Sequence, residues 1–354
     1  MTHSNIAPTR VAVIGCGRMG AITSDETLAK LKPGWAPLNY AEAVRRTPGL
    51  ELVALCDRSE SHLEEAAKVH AVVKRFSDHR ALLDQEEPDI AIISTRTPGR
   101  GGIICDCIDA GVGGVLFEKP LATSMSESRP VLSLLRESLI PFAFGTLRRF
   151  SETYRKARDM VEAGEIGELR SITVEHGYDM LMWGHPHSID LMIYFSRCHE
   201  ADEVRADCEF EPNSISDQRI DCDPMLKSAS IRFSNGIEGT ISRINGHNTH
   251  LIGTGGTLSI RDDGAYLDLA PPGETPRPIE LPQPKLSCTQ RAVLELAEAV
   301  RGERSPALTP DEIEANQRLL MAIARSAQTG GAKTNPNEVS GDFTVTSRFG
   351  ELTA

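Results

Sequence analysis

The sequence predicts a two-part α/β chain: a doubly wound parallel sheet followed by an α+β domain with a large, mostly antiparallel open sheet. Three observations carry this. Over the first 145 residues, short Val/Ile/Leu-rich runs alternate with amphipathic stretches, as buried parallel strands and crossover helices do. After Phe150 the apolar pattern switches to strict alternation over several runs, one pair of which flanks Asn235-Gly236, a hairpin turn signal. At 354 residues with 40% hydrophobic composition, the chain is long enough for two cores. The expected domains are residues 9–145 and 146–354.

In order, the expected strands of the first part are RVAVIG, ELVALCD, DIAIIST, GVLFEKP and PFAFGT, each ending in polar residues or glycine. Between them SESHLEEAAKVH and SMSESRPVLSLLRES read as helices. In the second part ETYRKARDMVEAGEIG is a helix, ELRSITVEHG a strand, and His187 to Phe195 a helix. Alternating strands follow in VRADCEF, SASIRFSNGIEGTISRI, THLIGTGGTLSI and AYLDLA. The stretch APPGETPRPIELPQP reads as a surface loop. Two helices close the chain, around TQRAVLELAEAVRG and from the Thr309 cap with Pro310 at the first helical position. These helices are too few to cover both faces of the second sheet. An apolar uncovered face would have to be buried, so a homodimer or homotetramer is expected.

Composition excludes several classes. The net charge of −12 argues against nucleic acid, because phosphate binding needs a basic face. No apolar run approaches the roughly 20 residues that span a bilayer. The segment before RVAVIG has no apolar stretch, so no secretory leader is expected. The eight cysteines are scattered without a CxxC, which fits free thiols in a reducing cytoplasm.

The first strand runs into Gly15-Cys16-Gly17-Arg18-Met19-Gly20, a G-x-G-x-x-G at the start of a βαβ pattern. Gly15 permits the tight turn, Gly17 lets a pyrophosphate approach the backbone, and Gly20 allows close helix–strand packing. The anion then rests at the helix N-terminus. Asp57 ends the second strand. A carboxylate there binds ribose hydroxyls and repels a 2′-phosphate, which favours NAD. Arg58 and Ser59 follow and leave NADP possible. Asp57 lies farther from the glycines than the usual ~20 residues. The surplus, about residues 24–39, reads as a solvated loop or as a lid anchored by Trp35. Thr95, Thr97 and Pro98 end the strand DIAIIST or follow it, and are expected to border the cofactor.

Glu118-Lys119-Pro120 ends the strand GVLFEKP. Together with the glycine turn before it and GTLRRFSETYRKARDMVEAGEIGEL and LIGTGGTLSI after it, this chain resembles the glucose–fructose oxidoreductase / inositol dehydrogenase / rhizopine-catabolism (Gfo/Idh/MocA) family. The resemblance covers nearly the whole chain. It implies a Rossmann domain, pairing of copies through the second sheet, and hydride transfer between NAD(P) and a sugar, cyclitol or related polyol. It implies Lys119 beside nicotinamide and substrate hydroxyl, Glu118 toward the cofactor, and Arg149 either meeting the cofactor or closing the domain interface. The family's histidine a few residues past IISTRTP is replaced by Gly102. The family pattern D-x-x-x-H-x-x-D falls on Trp183, His187 and Asp190, so its first acid is missing. His187 is then the expected general base, kept neutral by a helix N-terminus, with Asp190 either orienting it or supporting the helix start. Trp183 and His185 are expected substrate contacts, the indole favouring a modified sugar.

An HxH pair plus acid is also a zinc pattern, but Pro186 and a helix start would splay the ligands, and no metal is expected. Two other classes fit the same resemblance. A redox-assisted glycosidase would retain its cofactor and give no net NADH. A non-catalytic dinucleotide sensor would bind NAD and oxidise nothing.

Overall fold

The computed structural model describes residues 7–177 and 179–347. The chain forms two compact units. The first contains residues up to Glu118, Pro130–Gly145 and Lys285–Thr309; the second contains Lys119–Arg129, Thr146–Pro284 and Pro310 onward. The expected division at 145/146 is thus corrected at two segments: 119–129 belongs with the second unit and 285–309 with the first.

The first unit is a six-stranded parallel sheet in the order β3-β2-β1-β4-β5-β6. Its elements are β1 (Thr9–Ile14), α1 (Asp25–Ala29), α2 (Tyr40–Arg46), β2 (Leu50–Cys56), α3 (Glu60–His70), β3 (Arg75–Phe76), α4 (His79–Glu86), β4 (Ile90–Ile93), α5 (Arg100–Asp109), β5 (Gly114–Phe117), α6 (Met125–Ser138) and β6 (Phe142–Phe144). Every residue of β4, β5 and β6 is buried, as a sheet covered on both faces requires. Two-residue β3 is too short to leave a pattern in the sequence.

The surplus between glycines and Asp57 proves to be spliced into a helix. After Gly20 the chain makes one turn, then leaves through α1 and returns at α2. There the amides of Tyr40 and Ala41 donate to the carbonyls of Met19 (2.8 Å) and Gly20 (2.9 Å). Those bonds reach back 21 residues where a continuous helix reaches back four. The insertion is therefore 17 residues, and without it Asp57 falls 20 residues past Gly20, about the usual distance. Its far half is fixed: Ser287 Oγ and Thr289 Oγ1 donate to the carbonyls of Pro37 and Leu38, both at 2.9 Å, and Trp35 is buried. These anchors correct the lid reading for residues 34–38.

The second unit is built on a nine-stranded sheet. Its elements are α7 (Glu152–Glu162), β7 (Leu169–Glu175), β8 (Asp179–Met180), α8 (Leu181–Ser196), β9 (Ala201–Glu209), β10 (Ile215–Ser216), β11 (Arg219–Ile220), β12 (Met225–Phe233), β13 (Glu238–Ser242), β14 (Asn248–Gly253), β15 (Gly256–Arg261), β16 (Tyr266–Ala270) and β17 (Arg277–Pro278). Helix α9 (Cys288–Val300) returns to the first unit, and α10 (Pro310–Gln328) and β18 (Thr344–Val345) complete the second. Helix α9 reaches the first sheet because β5 starts on glycine: a Cβ at Gly114 would meet Val300 at 2.6 Å. The large sheet runs β17-β16-β15-β14-β7-β13-β12-β8, with β9 also on β12. Only β7–β13 pair in parallel there. Strands β10, β11 and β18 form a separate small sheet, and part of the expected proline-rich loop is edge strand β17.

Helices α7, α8 and α10 pack on one sheet face. Helix α8 is apolar almost all round and almost wholly buried, as a helix held between sheet and helix must be. The opposite face is not the apolar surface expected. A single row crosses six strands through Ser230, Thr240, Thr173, His250, Ser259 and Asp268, all polar. The premise for a homodimer or homotetramer through an apolar face is corrected accordingly. No helix among the described residues is long and apolar enough to cross a membrane.

Candidate active site

In the first unit, the glycine turn is shaped by what it excludes. Gly15 sits at φ 98°, and a Cβ there would lie 2.8 Å from the backbone of Ser94 and Thr95. A Cβ on Gly20 would fall 1.7 Å from the Gly15 carbonyl oxygen, so no other residue closes this turn. A Cβ on Gly17 would meet nothing within 4 Å, which leaves the backbone open to a ligand. The Asp57 carboxylate is half-buried and accepts from the amides of Cys16 (2.6 Å) and Ser59 (2.8 Å). Ser59 also caps α3 with its hydroxyl. That commits Ser59 to the fold, leaving exposed Arg58 as the group beside Asp57 to face a 2′-phosphate.

Thr95 carries a buried hydroxyl oxygen with no hydrogen-bond partner, while Thr97 is buried and Pro98 exposed. Arg100, which the sequence reading missed, ties the two strand ends together by donating to the carbonyls of Glu118 (2.8 Å) and Thr95. Arg18 is exposed, and Met19 is half-exposed with its carbonyl given to Tyr40. The Glu118 carboxylate accepts from the Tyr40 hydroxyl at 2.7 Å inside the unit. Burial and this carboxylate push the Tyr40 phenol well above its ordinary range. Glu118 is thus a packing partner of Tyr40, and a Cβ on Gly145 would meet its carboxylate at 2.8 Å. The open Gly17 backbone, the aimed Asp57 carboxylate and the orphaned Thr95 hydroxyl fit a bound dinucleotide.

In the second unit, side chains from five separate segments meet. Lys119 is buried; its Nζ donates to the Trp183 carbonyl at 2.8 Å and stands 4.1 Å over the Trp183 ring. The indole face that was expected to meet substrate therefore holds the lysine, by a contact worth roughly 0.5–2 kcal/mol. Helix α8 starts at Leu181, so His187 lies in its second turn, not at its N-terminus. The dipole has faded there. His187 is instead held well below the ordinary imidazole range by burial, with Arg148 and Lys119 adding to it. Its Nδ1 is buried without a partner.

Asp190 does not orient His187. Arg149 takes both its oxygens, at 3.0 and 2.6 Å, and reaches Glu312 with its remaining nitrogen at 2.9 Å. Arg149 is accordingly spent in a buried ion network of the second unit, not on the cofactor. His185 is fully buried, with Nδ1 at 3.2 Å from Ser188 Oγ and Nε2 without a partner. Burial lowers its pKa to about 4.

Two further histidines join these, and neither was found from the sequence. His176 follows β7. Its ring lies 6.3 Å from that of His187, 5.7 Å from His185 and 4.7 Å from His247. Burial, then Arg148, lowers its pKa well below the ordinary value. His247 is exposed on the loop between β13 and β14. That loop is fixed: Gly177 N–H donates to Ile244 at 3.1 Å, and Asp263 N–H to His247 at 3.0 Å. Asp263 also binds Arg148 through both carboxylate oxygens, at 2.7 and 3.1 Å. Among the described residues no three His, Cys, Asp or Glu side chains converge as metal ligands do. Lone histidines 71 residues apart, His176 and His247, carry no sequence spacing, so only the fold reveals the cluster.

Residues 9–143 match the sequence model of the "Oxidoreductase family, NAD-binding Rossmann fold". Over 159 residues the chain is 28% identical to scyllo-inositol 2-dehydrogenase (NAD(+)) of Bacillus subtilis, covering 45% of this chain and 42% of that protein. The chain spans about two fifths of the length of the first curated relatives it matches. Over 93% of its length it superposes on 99% of an aldose–aldose oxidoreductase from Caulobacter crescentus, at a TM-score of 0.75 and 18% identity. It also superposes, over 94% of its length and 99% of the other chain, on an oxidoreductase from Agrobacterium radiobacter solved with NAD+, L-tartaric acid and magnesium (TM-score 0.72, 17% identity). The last two likenesses show a shared fold.

Proposed function

For a chain that belongs to the Gfo/Idh/MocA oxidoreductase family through its NAD-binding domain, we propose hydride transfer between a nicotinamide dinucleotide and a secondary alcohol of a sugar, cyclitol or sugar derivative. The observation that carries the reading is the pairing of Lys119 with His187. One is a buried ammonium, the other an imidazole kept neutral partly by that ammonium. A neutral imidazole can take a hydroxyl proton, and a lysine bound to the same oxygen stabilises its alkoxide character.

Gly15, Gly17, Gly20 and Asp57 would hold the cofactor, whose nicotinamide supplies the hydride acceptor. Lys119 is steadied by the Trp183 carbonyl and ring, and it anchors the substrate oxygen. His187 removes the hydroxyl proton in oxidation and returns it in reduction. Asp190, Arg149 and Glu312 fix the helix that carries His187. Asp57 favours NAD over NADP.

The test is a panel of sugars, cyclitols and their deoxy, amino and glycosidic derivatives, followed by NAD(P)H absorbance. Reduction of NAD by at least one, abolished in His187→Ala, supports the reading. Tight NAD binding with no oxidation of any polyol would overturn it.

A further inference from the structure

We propose that His176 and His247 form a proton path joining His187 to bulk solvent. The inference rests on the polyol oxidoreductase reading above and adds two residues to its machinery.

Oxidising a carbinol breaks one C–H and one O–H bond and forms C=O. The hydride carries both C–H electrons to an oxidised nicotinamide, and the O–H proton goes to His187. That proton must leave before the next turnover. His187 cannot keep it, because among the described residues no carboxylate pairs with its ring. Asp190 is held on both oxygens by Arg149, and Asp263 is held on both oxygens by Arg148. Asp179, whose carboxylate lies over Gly184, makes no hydrogen bond to His187. The charges that act on the ring most strongly are Arg148 and Lys119, both opposed to a further positive charge.

The rings provide a way out. His187 and His176 lie nearly parallel, at 12°, with centroids 6.3 Å apart. This is wider than a direct hydrogen bond and suits one bridging water. His176 meets His247 edge-on, at 81° and 4.7 Å, so this step too would run through a water between ring nitrogens and not directly from ring to ring. His247 is exposed. Its loop is pinned by Gly177, the residue after His176, and by Asp263. His185 also meets His176, at 5.7 Å, but it is fully buried and ends at Ser188, so it is a side branch. His250, paired with Glu175 at 3.5 Å, shares no ring contact with the four. Each imidazole on the path can accept a proton at one nitrogen and release it from the other, which returns every ring to neutrality after each passage.

The test follows NADH by absorbance and the released proton by an indicator dye in weak buffer, in the holoenzyme with a polyol it oxidises. The variants are His176→Gln and His247→Asn. Asparagine suits the left-handed backbone at φ 47° and does not titrate. In the wild type the proton should appear with NADH. In both variants it should lag. Turnover should fall by up to ~10²-fold for His176→Gln and less for exposed His247→Asn, and millimolar imidazole should restore it. A packing role would not respond to imidazole. Synchronous proton release at wild-type rates in His247→Asn, a surface change that leaves the core intact, would overturn the path while leaving the proposed function standing. A slowed variant that imidazole does not restore would overturn it as well. A wild type that oxidises no polyol would remove the function, and the path with it.

Discussion

The glycine turn of the first unit and the histidine site of the second are built by opposite means. The turn works by missing side chains: Gly15, Gly17 and Gly20 clear a path for backbone and ligand within six consecutive residues. The histidine site works by side chains brought from residues 119, 148, 176, 185–187 and 247. A contiguous device is encoded by spacing and can be read directly. A convergent device is encoded by the fold and appears only when strands β7, β13 and β14 come together beside α8.

The contrast predicts separable failures. The largest effect is expected from Lys119→Ala and His187→Ala, each lowering kcat/KM by ~10²–10⁴-fold with NAD affinity nearly unchanged. Gly20→Ala should do the reverse, abolishing NAD binding because its Cβ would fall 1.7 Å from a carbonyl oxygen. Calorimetric NAD titration of all three checks the separation. Loss of NAD affinity in His187→Ala would merge the two devices into one.

Arg149→Met comes next. It leaves Asp190 and Glu312 buried without their cation, and breaking such a network costs ~3–5 kcal/mol. Denaturant unfolding should show that loss, whereas a cofactor-binding role would show reduced NAD affinity in a stable protein. Asp57→Asn is milder. Removing its charge should improve NADP relative to NAD by ~10-fold or more, because like-charge juxtaposition costs several kcal/mol. Steady-state kinetics with both cofactors measure it; an unchanged ratio would mean that Arg58 already sets the preference.

The smallest effect is expected at Trp183. Trp183→Asp exchanges a ring under Lys119 for a carboxylate beside it. Activity on plain inositols should rise relative to modified sugars. An unchanged substrate profile would confine Trp183 to holding the lysine.

How much was legible follows the same division. The parallel sheet, the glycine turn and Asp57 were readable because parallel strands and G-x-G-x-x-G are local patterns. The odd distance to Asp57 was visible, but only the bonds from Tyr40 and Ala41 back to Met19 and Gly20 show a helix interrupted by 17 residues. Lys119 and His187 were named through resemblance, and the structure puts them within electrostatic reach of each other. Charge and spacing could not show that Asp190 and Arg149 bind each other 41 residues apart. Placing the helix start at His187 missed Leu181, because Pro186 reads as a first-turn residue yet lies within the helix. His176 and His247 left no signal, since one ends a strand and the other sits in a turn.

The central claim is that a neutral His187, disfavoured as a cation by burial, Arg148 and Lys119, is the base. The pH dependence of kcat/KM for alcohol oxidation, in wild type and Lys119→Met, tests it most directly. Protonating the base stops the reaction, so activity falls as pH drops through the imidazole's pKa. With that pKa below 6.5, the wild-type acid limb should lie below pH 6.5. Removing the lysine's charge should move the limb upward in the residual activity of the variant. A wild-type limb above pH 6.5, or one that stays in place without Lys119, would contradict the account.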